Sequence, residues 1–295
     1  MFIATLIAAD CITAGDISDA ADRLAAVHCA PGTWRWVEEG KAADLEFALH
    51  PDSARGALEG AFAATDVVVQ PAEGRERKLL VADMDSTMIT VECIDELADY
   101  AGIKSRIAEV TERAMRGELD FAAALDARVA LLRGLEESAI DRCLAERVRL
   151  SPGAETLIRT MGARGALTIL VSGGFTRFAG PVGAMLGFQR VIANVLEIAD
   201  GKLTGTVTKP IVDSNTKEAT LLGAVAELGI TPEQAIAIGD GANDLAMIRK
   251  AGLGVAYRAK PIVAAAAGAR LDHADLTAVL YAQGIARSEW VTPGS

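Results

Sequence analysis

Two aspartates one residue apart, Asp83 and Asp85, follow the apolar run Leu79-Leu80-Val81-Ala82 and lead into Ser86-Thr87. Four apolar residues in a row read as a buried strand, too short for a helix. Side chains at i and i+2 of a strand share a face, and a tight turn can also aim both at one point. Two carboxylates so placed repel unless a cation lies between them or one keeps its proton. A hydrophobic strand ending in Asp-x-Asp-x-Thr is what a magnesium-dependent aspartyl-phosphate enzyme needs. Asp83 would attack phosphorus and Asp85 would move a proton. A strand that merely closes in a polar turn gives the same letters, so this motif does not decide alone.

Two more motifs follow apolar runs. Ser172-Gly173-Gly174 comes after the predicted strand 166–171. It offers a hydroxyl and open backbone N–H groups at a helix start, which is an anion cradle, although Ser-Gly-Gly is also an ordinary turn. Gly239-Asp240-Gly241-Ala242-Asn243-Asp244 comes after the predicted strand 235–238. Its glycines permit a tight loop, and Asp240 and Asp244 supply hard oxygen ligands or their outer support, which suits Mg²⁺. A capped helix start is the plainer alternative; the motif's place after a strand and downstream of the others argues against it. Lys217, in the first turn of a predicted helix ending at Leu228, offers a point charge to a phosphate oxygen. Taken alone, a solvated helix lysine is the commoner case.

Such residues work together only if strand ends bring them together. Strands alternating with helices after Ser151 imply a parallel sheet covered on both faces. In a doubly wound sheet the strand C-termini open on one crevice, so the three motifs are expected as neighbours. Residues 93–149 are helical in character throughout and interrupt that alternation. Leu125, Val129 and Leu132 are spaced for one helix face. This stretch is read as an inserted helical cap that excludes water and chooses substrates. Ser151 is placed as the cap of the next helix, with Pro152 at its first position. Residues 191–207 read as short strands turning at Asp200-Gly201.

Residues 1–72 read as a separate α+β unit, with strand 2–9, helix 16–27, strands 33–38 and 45–50, helix 53–64 and strand 66–70. That βαββαβ order predicts a ferredoxin-like sandwich similar to ACT-type domains. Trp34 and Trp36 share one strand face and are assigned to core packing. The polar stretch 71–78 reads as a linker to the second unit, 73–295.

Composition narrows the function. The 295 residues are 51% hydrophobic and only 4% aromatic, which suits aliphatic helices packed on a sheet. A net charge of −11 argues against nucleic acid and anionic membranes as partners. A phosphate bound by such a chain needs a metal and a few placed cations. Cys11, Cys29, Cys93 and Cys143 form no CxxC pair, and free thiols in a reducing cytosol are expected. His28, His50 and His273 have no metal-ligand spacing. The apolar start MFIATLIAAD has no preceding Lys or Arg and is interrupted by Asp10, so it is not read as a signal peptide. No run approaches the ~20 apolar residues of a membrane span. The expectation is a soluble cytoplasmic protein.

From Leu79 to Tyr257 the motifs together resemble the haloacid dehalogenase (HAD) superfamily of phosphatases. The narrower resemblance is to the phosphoserine phosphatase family within it. It is carried by Glu92, nine positions after Asp83, and by Met115, Phe121 and Arg128 in Ala-Met-Arg-Gly-Glu-Leu-Asp-Phe and Ala-Arg-Val-Ala-Leu-Leu. The resemblance implies an α/β, doubly wound HAD core carrying the cap at about 93–149. It implies Mg²⁺-dependent hydrolysis of O-phospho-L-serine, the last step of serine synthesis, with Asp83 as nucleophile and Asp85 as acid and base. Asp83, Asp240 and the Asp85 carbonyl would hold Mg²⁺, and Asp244 its waters. Ser172, Gly173 and Lys217 would hold phosphate, and Asn243 would orient Asp83 or phosphate. Glu92 and Arg128 would hold the amino-acid end of the substrate, shielded by Phe121 and Met115, while Ser86 and Thr87 brace the loop. The N-terminal unit is where a homodimer would form. Three other readings remain: phosphoryl transfer to homoserine, cleavage of another small phosphate, or an amino-acid-sensing regulator with a decayed site. The intact Asp83, Asp85, Ser172, Lys217 and Asp240 argue against the last.

Overall fold

The computed structural model describes residues 1–116 and 118–292, except the Met115 side chain. Its first six elements are β1 (Phe2–Ala8), α1 (Ala14–Ala26), β2 (Pro31–Glu38), β3 (Ala42–Phe47), α2 (Pro51–Leu58) and β4 (Thr65–Pro71). They form an antiparallel sheet of order β2-β3-β1-β4, the order expected of a ferredoxin-like sandwich. Alternation along β1 sets its two faces. Ala4, Leu6 and Ala8 pack in the cluster beneath α1 and α2, whereas Ile7 joins the core of the second unit.

Three expectations need correction here. The third strand is Ala42–Phe47 rather than 45–50, because His50, with φ of 56°, turns the chain and Pro51 opens α2. Helix α2 stops at Leu58, ahead of Gly60 with φ of +71°. Trp34 is not core. It lies on the edge strand β2, 40% exposed, with its ring edge-on to Trp36 at 5.5 Å.

The second unit is built on a six-stranded parallel sheet of order β12-β11-β10-β5-β6-β7. Its strands are β5 (Leu79–Ala82), β6 (Leu167–Phe175), β7 (Arg190–Asn194), β10 (Ala235–Gly239), β11 (Leu253–Tyr257) and β12 (Ala269–Leu271). Both faces are buried, as parallel strands of unbroken apolar character require. Leu80 and Ala82 of β5 point into one cluster, Leu79 and Val81 into the other. Helices α7 (Ala154–Ala163), α8 (Thr176–Leu186) and α12 (Ala278–Ala282) pack on the first face. Helices α9 (Ser214–Leu228), α10 (Leu245–Lys250) and α11 (Pro261–Ala266) pack on the other. From β5 the chain proceeds to β6 and β7, then returns to lay β10 on the opposite side of β5. The strand order therefore reverses between β5 and β10, where such sheets form their crevice.

The cap comprises α3 (Cys93–Tyr100), α4 (Lys104–Met115), α5 (Phe121–Leu131) and α6 (Ser138–Arg147). Leu125, Val129 and Leu132 are each at most 2% exposed, so the predicted stripe is the buried one. Strands β8 (Leu196–Ala199) and β9 (Lys202–Val207) form a hairpin outside the main sheet. Main-chain bonds from Gly134 to Leu203 and from Glu137 to Gly201 tie it to the cap. Ser151 does not cap α7. The helix starts after Gly153, at φ of +80°, while the buried Ser151 gives its N–H to Met88. No helix among the described residues is long and apolar enough to cross a membrane. Cys11, Cys29, Cys93 and Cys143 are all free thiols.

The stretch 71–78 is no loose tether. Arg75 and Arg77 are 8% and 7% exposed. The Arg75 fork binds both oxygens of buried Asp44 at 2.8 and 2.6 Å, and Arg77 donates to Gln70 at 2.8 Å. Polarity suggested solvent, but a guanidinium can be buried when its fork is matched by a carboxylate. Asp66 of β4 accepts the N–H groups of Asp272, His273 and Ala274 at 3.0, 3.2 and 2.8 Å. Replacing it leaves buried donors unpaired. Asp66→Ala should therefore lower the unfolding free energy by roughly 2–4 kcal/mol. Urea unfolding checks this, and an unchanged midpoint would contradict it.

Candidate active site

Adjacent strands bring the two acidic motifs together. Asp83 follows β5 and Asp240 follows β10, which pair in parallel up to Ala82 and Ile238. Asp83 is 5% exposed, and its Oδ1 accepts from the Met84 N–H at 2.8 Å. Asp83, Asp240 and Asp244 present carboxylate oxygens within 4.8 Å of one another. Burial, with Asp83 and Glu92 nearby, pushes the Asp240 carboxyl up to about 6. Three crowded carboxylates form a set of hard oxygen donors, which fits a divalent cation.

Lys217 reaches this group from the first turn of α9, whose start is capped by Asp213 accepting from Thr216 N–H at 2.8 Å. The lysine is fully buried, and its Nζ lies 2.7 Å from both Asp83 Oδ1 and Asp244 Oδ1. Burial works against its charge, but the two carboxylates outweigh that and raise its proton affinity. The ammonium is therefore a fixed positive charge, not a solvated helix lysine. Removing one partner of such an ion group costs more than the group contributes, because the remaining charges stay buried. Lys217→Met should thus destabilise the metal-free protein by about 3–5 kcal/mol. Added divalent cation should recover part of that loss. Thermal or urea unfolding with and without the cation measures both, and a neutral substitution would contradict the pairing.

Asp85 faces the same cleft with a different character. Its Oδ1 accepts weakly from the Cys93 N–H at 3.4 Å. Burial pushes its carboxyl up to about 8, with Glu92 and Asp83 adding to the effect. It is therefore protonated at neutral pH and able to donate. Its side chain stands outside the Asp83–Asp240–Asp244 oxygen cluster. Between these strand ends Ser86, at φ of 54°, donates from its hydroxyl to Glu92 at 2.8 Å. Buried Thr87 donates to Asp240 at 3.2 Å.

Ser172 is fully buried, and its Oγ accepts the Gly174 N–H at 2.9 Å. A Cβ on Gly174 would lie 3.0 Å from Asp85 Oδ2, so a side chain there would crowd that carboxyl. The backbone of Gly173 lies against the Phe121 ring, which remains 36% exposed. Asn194 holds this loop from beneath. Its amide donates to the Gly173 carbonyl at 2.8 Å, and its Oδ1 accepts from Val212 N–H at 2.7 Å. Sequence reading missed Asn194; its only signal was a polar residue closing an apolar run.

A cleft of about 430 Å³ opens at these strand ends; Asp244, Lys217, Ser86, Thr87 and Asn194 are not among its lining residues. Asp83, Asp85, Ser172, Gly173, Asn243 and Asp240 line it from the strand ends, Phe121 and Arg128 line it from α5 of the cap, and Glu92 lines it just ahead of α3. Arg128 is half-buried; its Nε donates to the Ala124 carbonyl at 3.3 Å, and no ion pair engages the fork among the described residues. Burial lowers its proton affinity, opposed by Asp95, Glu92 and Asp85. The Met115 side chain lies outside the described residues, so its shielding role has no structural counterpart here. Lys260 is a lining residue that the motifs did not point to. Its N–H donates to the Asp240 carbonyl at 3.1 Å.

Residues 80–249 match the family model of haloacid dehalogenase-like hydrolases. The chain is 48% identical over 235 residues to a phosphoserine phosphatase of Streptomyces coelicolor, covering 79% of this chain and 57% of that one. It is 41% identical over 287 residues to the phosphoserine phosphatase SerB2 of Mycobacterium tuberculosis, covering 94% of this chain and 70% of that one. A solved phosphoserine phosphatase described as a phospho-aspartyl intermediate analogue superposes with a TM-score of 0.64 at 37% identity, covering 70% of this chain and 98% of that one.

Proposed function

The chain belongs to the haloacid dehalogenase-like hydrolase family, and on that premise we propose that it is a Mg²⁺-dependent phosphatase. Its substrate is O-phospho-L-serine, its products are L-serine and phosphate, and the reaction passes through an aspartyl-phosphate on Asp83. One observation carries the reading. One cleft is lined both by Asp83, Asp85 and Ser172 and by Glu92 and Arg128. A phosphate and an amino-acid zwitterion on one small molecule match those two sets of residues. The similarity to phosphoserine phosphatases supports the substrate, and the phospho-aspartyl analogue of one of them supports the covalent step.

Asp83, Asp240 and Asp244 would hold Mg²⁺, with the Asp85 carbonyl as a further oxygen donor. Bound there, the ion neutralises charge on the phosphoryl group and on the carboxylates around it. Lys217, its Nζ 2.7 Å from Asp83 Oδ1, holds that carboxylate in place. Ser172 and the Gly173 backbone take phosphoryl oxygens, and Asn243 orients the group from the opposite loop. Asp83 attacks phosphorus as the bond to the serine oxygen breaks. Asp85 passes its proton to that oxygen. Now a carboxylate, Asp85 takes a proton from the water that attacks phosphorus and frees Asp83. In this reading the enzyme completes serine synthesis in the cytoplasm.

The test is phosphate release from a panel of phosphorylated small metabolites with Mg²⁺ present. Phosphoserine should be the preferred substrate, and chelation with EDTA should abolish release until Mg²⁺ is restored. Preference for another phosphate, or phosphohomoserine formed when homoserine is added in place of free phosphate, would replace this reading with one of the alternatives.

A further inference from the structure

We propose that the cavity between the N-terminal sheet and the catalytic core binds a small oxyanion, a phosphate or carboxylate, held chiefly by Arg258. The cavity measures about 510 Å³, comparable with the catalytic cleft at about 430 Å³. Clefts of this size between packed units are preferred places for small ligands. Ala8 and Lys41 line it from the N-terminal side; Arg258, Asp275, Arg287 and Trp290 line it from the core.

Its charge opposes that of the chain. Three of the lining residues, Lys41, Arg258 and Arg287, are basic, against the single lining carboxylate of Asp275, in a molecule of net charge −11. Most of these groups are already engaged. Lys41 Nζ donates to the Ala9 and Asp10 carbonyls at 3.0 and 2.5 Å. Arg287 lies 3.7 Å from Glu38. Asp275 Oδ1 accepts from the N–H and hydroxyl of Thr277 at 2.8 and 2.5 Å.

Arg258 differs. Among the described residues its guanidinium makes no hydrogen bond or ion pair; it rests over the adjacent Tyr257 ring, 5.4 Å from the centroid. Its backbone is left-handed, with φ of 45°, a conformation a long side chain holds only where its surroundings impose it. A guanidinium fork with free donors is the group best shaped for two oxygens of a phosphate or carboxylate. Arg258 also sits two residues before Lys260, whose N–H is bonded to the Asp240 carbonyl. The segment 258–260 thus runs from this cavity to the catalytic cleft, and an occupant on Arg258 bears on the loop of Asp240.

Trp34→Phe with Trp36→Phe leaves Trp290 the sole tryptophan of the chain, and Trp290 is in the cavity wall. The full chain with these changes is titrated with inorganic phosphate and, separately, with succinate, at constant ionic strength set with chloride. The expected result is a saturable change in Trp290 fluorescence with at least one probe, weakened roughly tenfold or more in Arg258→Gln. The stronger probe identifies the oxyanion as phosphate or carboxylate. No saturable change with either probe overturns the proposal. So does a change that Arg258→Gln leaves intact, since that anion would be bound in the catalytic cleft. Should Arg258→Gln fail to fold, Arg258→Lys, which keeps the charge and loses the fork, serves in its place with the same expected and overturning results.

Discussion

Asp83→Asn should leave a folded protein whose turnover falls by roughly 10⁴-fold or more. The asparagine keeps an oxygen that can accept from the Met84 N–H, and Lys217 keeps its bond to Asp244 at 2.7 Å. The fold therefore loses little. The proposed chemistry would lose its attacking group, because an amide oxygen is a far poorer nucleophile than a carboxylate. Phosphate release and acid-quenched phospholabelling of the protein report the two consequences separately, and both should vanish. A mass measurement must accompany them, since deamidation restores aspartate. Full activity in protein of confirmed mass would end the covalent reading. Asp85→Asn should behave differently. It should still bind phosphate but fail in proton transfer, because the group lost is a carboxyl held protonated near neutral pH by burial.

Arg128→Ala should lower kcat/KM on phosphoserine by roughly 30- to 5000-fold, the equivalent of about 2–5 kcal/mol for one partner of a desolvated charge pair. Activity on an aryl phosphate should fall far less, because that substrate has no carboxylate for the fork to bind. Arg128 lines the cleft and has only the Ala124 carbonyl as a hydrogen-bond partner among the described residues. Its remaining donors are thus available to a ligand. Glu92, lining the same cleft, is held by the Ser86 hydroxyl and in the proposed reading would supply the opposite charge for an ammonium. Equal losses on both substrates would show that Arg128 supports the fold or the phosphate end, and its assignment to the carboxylate would fail.

Local pattern was enough for much of this. The apolar run 79–82 could only be a strand, and its alternation already divided Leu79 and Val81 from Leu80 and Ala82. The stripe Leu125–Val129–Leu132 showed which cap face is buried. Boundaries were less legible where a single backbone conformation decides them. His50 and Gly153 begin helices from left-handed geometry, and neither the histidine nor the glycine announces that in its neighbours. Trp34 and Trp36 alternate as core residues do, and Trp36 does pack against the N-terminal core, yet Trp34 is exposed because β2 is an edge strand, and an edge is a property of the whole sheet.

By itself, then, the sequence determined the chemistry available: which residues are carboxylates, which loops are free of side chains, and which segments are strands or helices. These depend on residue type and on spacing within a few positions, where periodicity and turn geometry act. Only the tertiary structure decided the environment of each group. Lys217 reads the same whether solvated or, as here, fully buried between Asp83 and Asp244. Arg75 and Arg77 read as linker residues and are buried clamps, while Arg258, in the same chemical alphabet, is left without a hydrogen-bond partner among the described residues. The physical reason is that desolvation and ion pairing act over a few ångströms in space, between residues far apart in sequence. The charge a side chain carries is written at its own position; whether that charge is matched, strained or free is set by the strands and helices that fold around it.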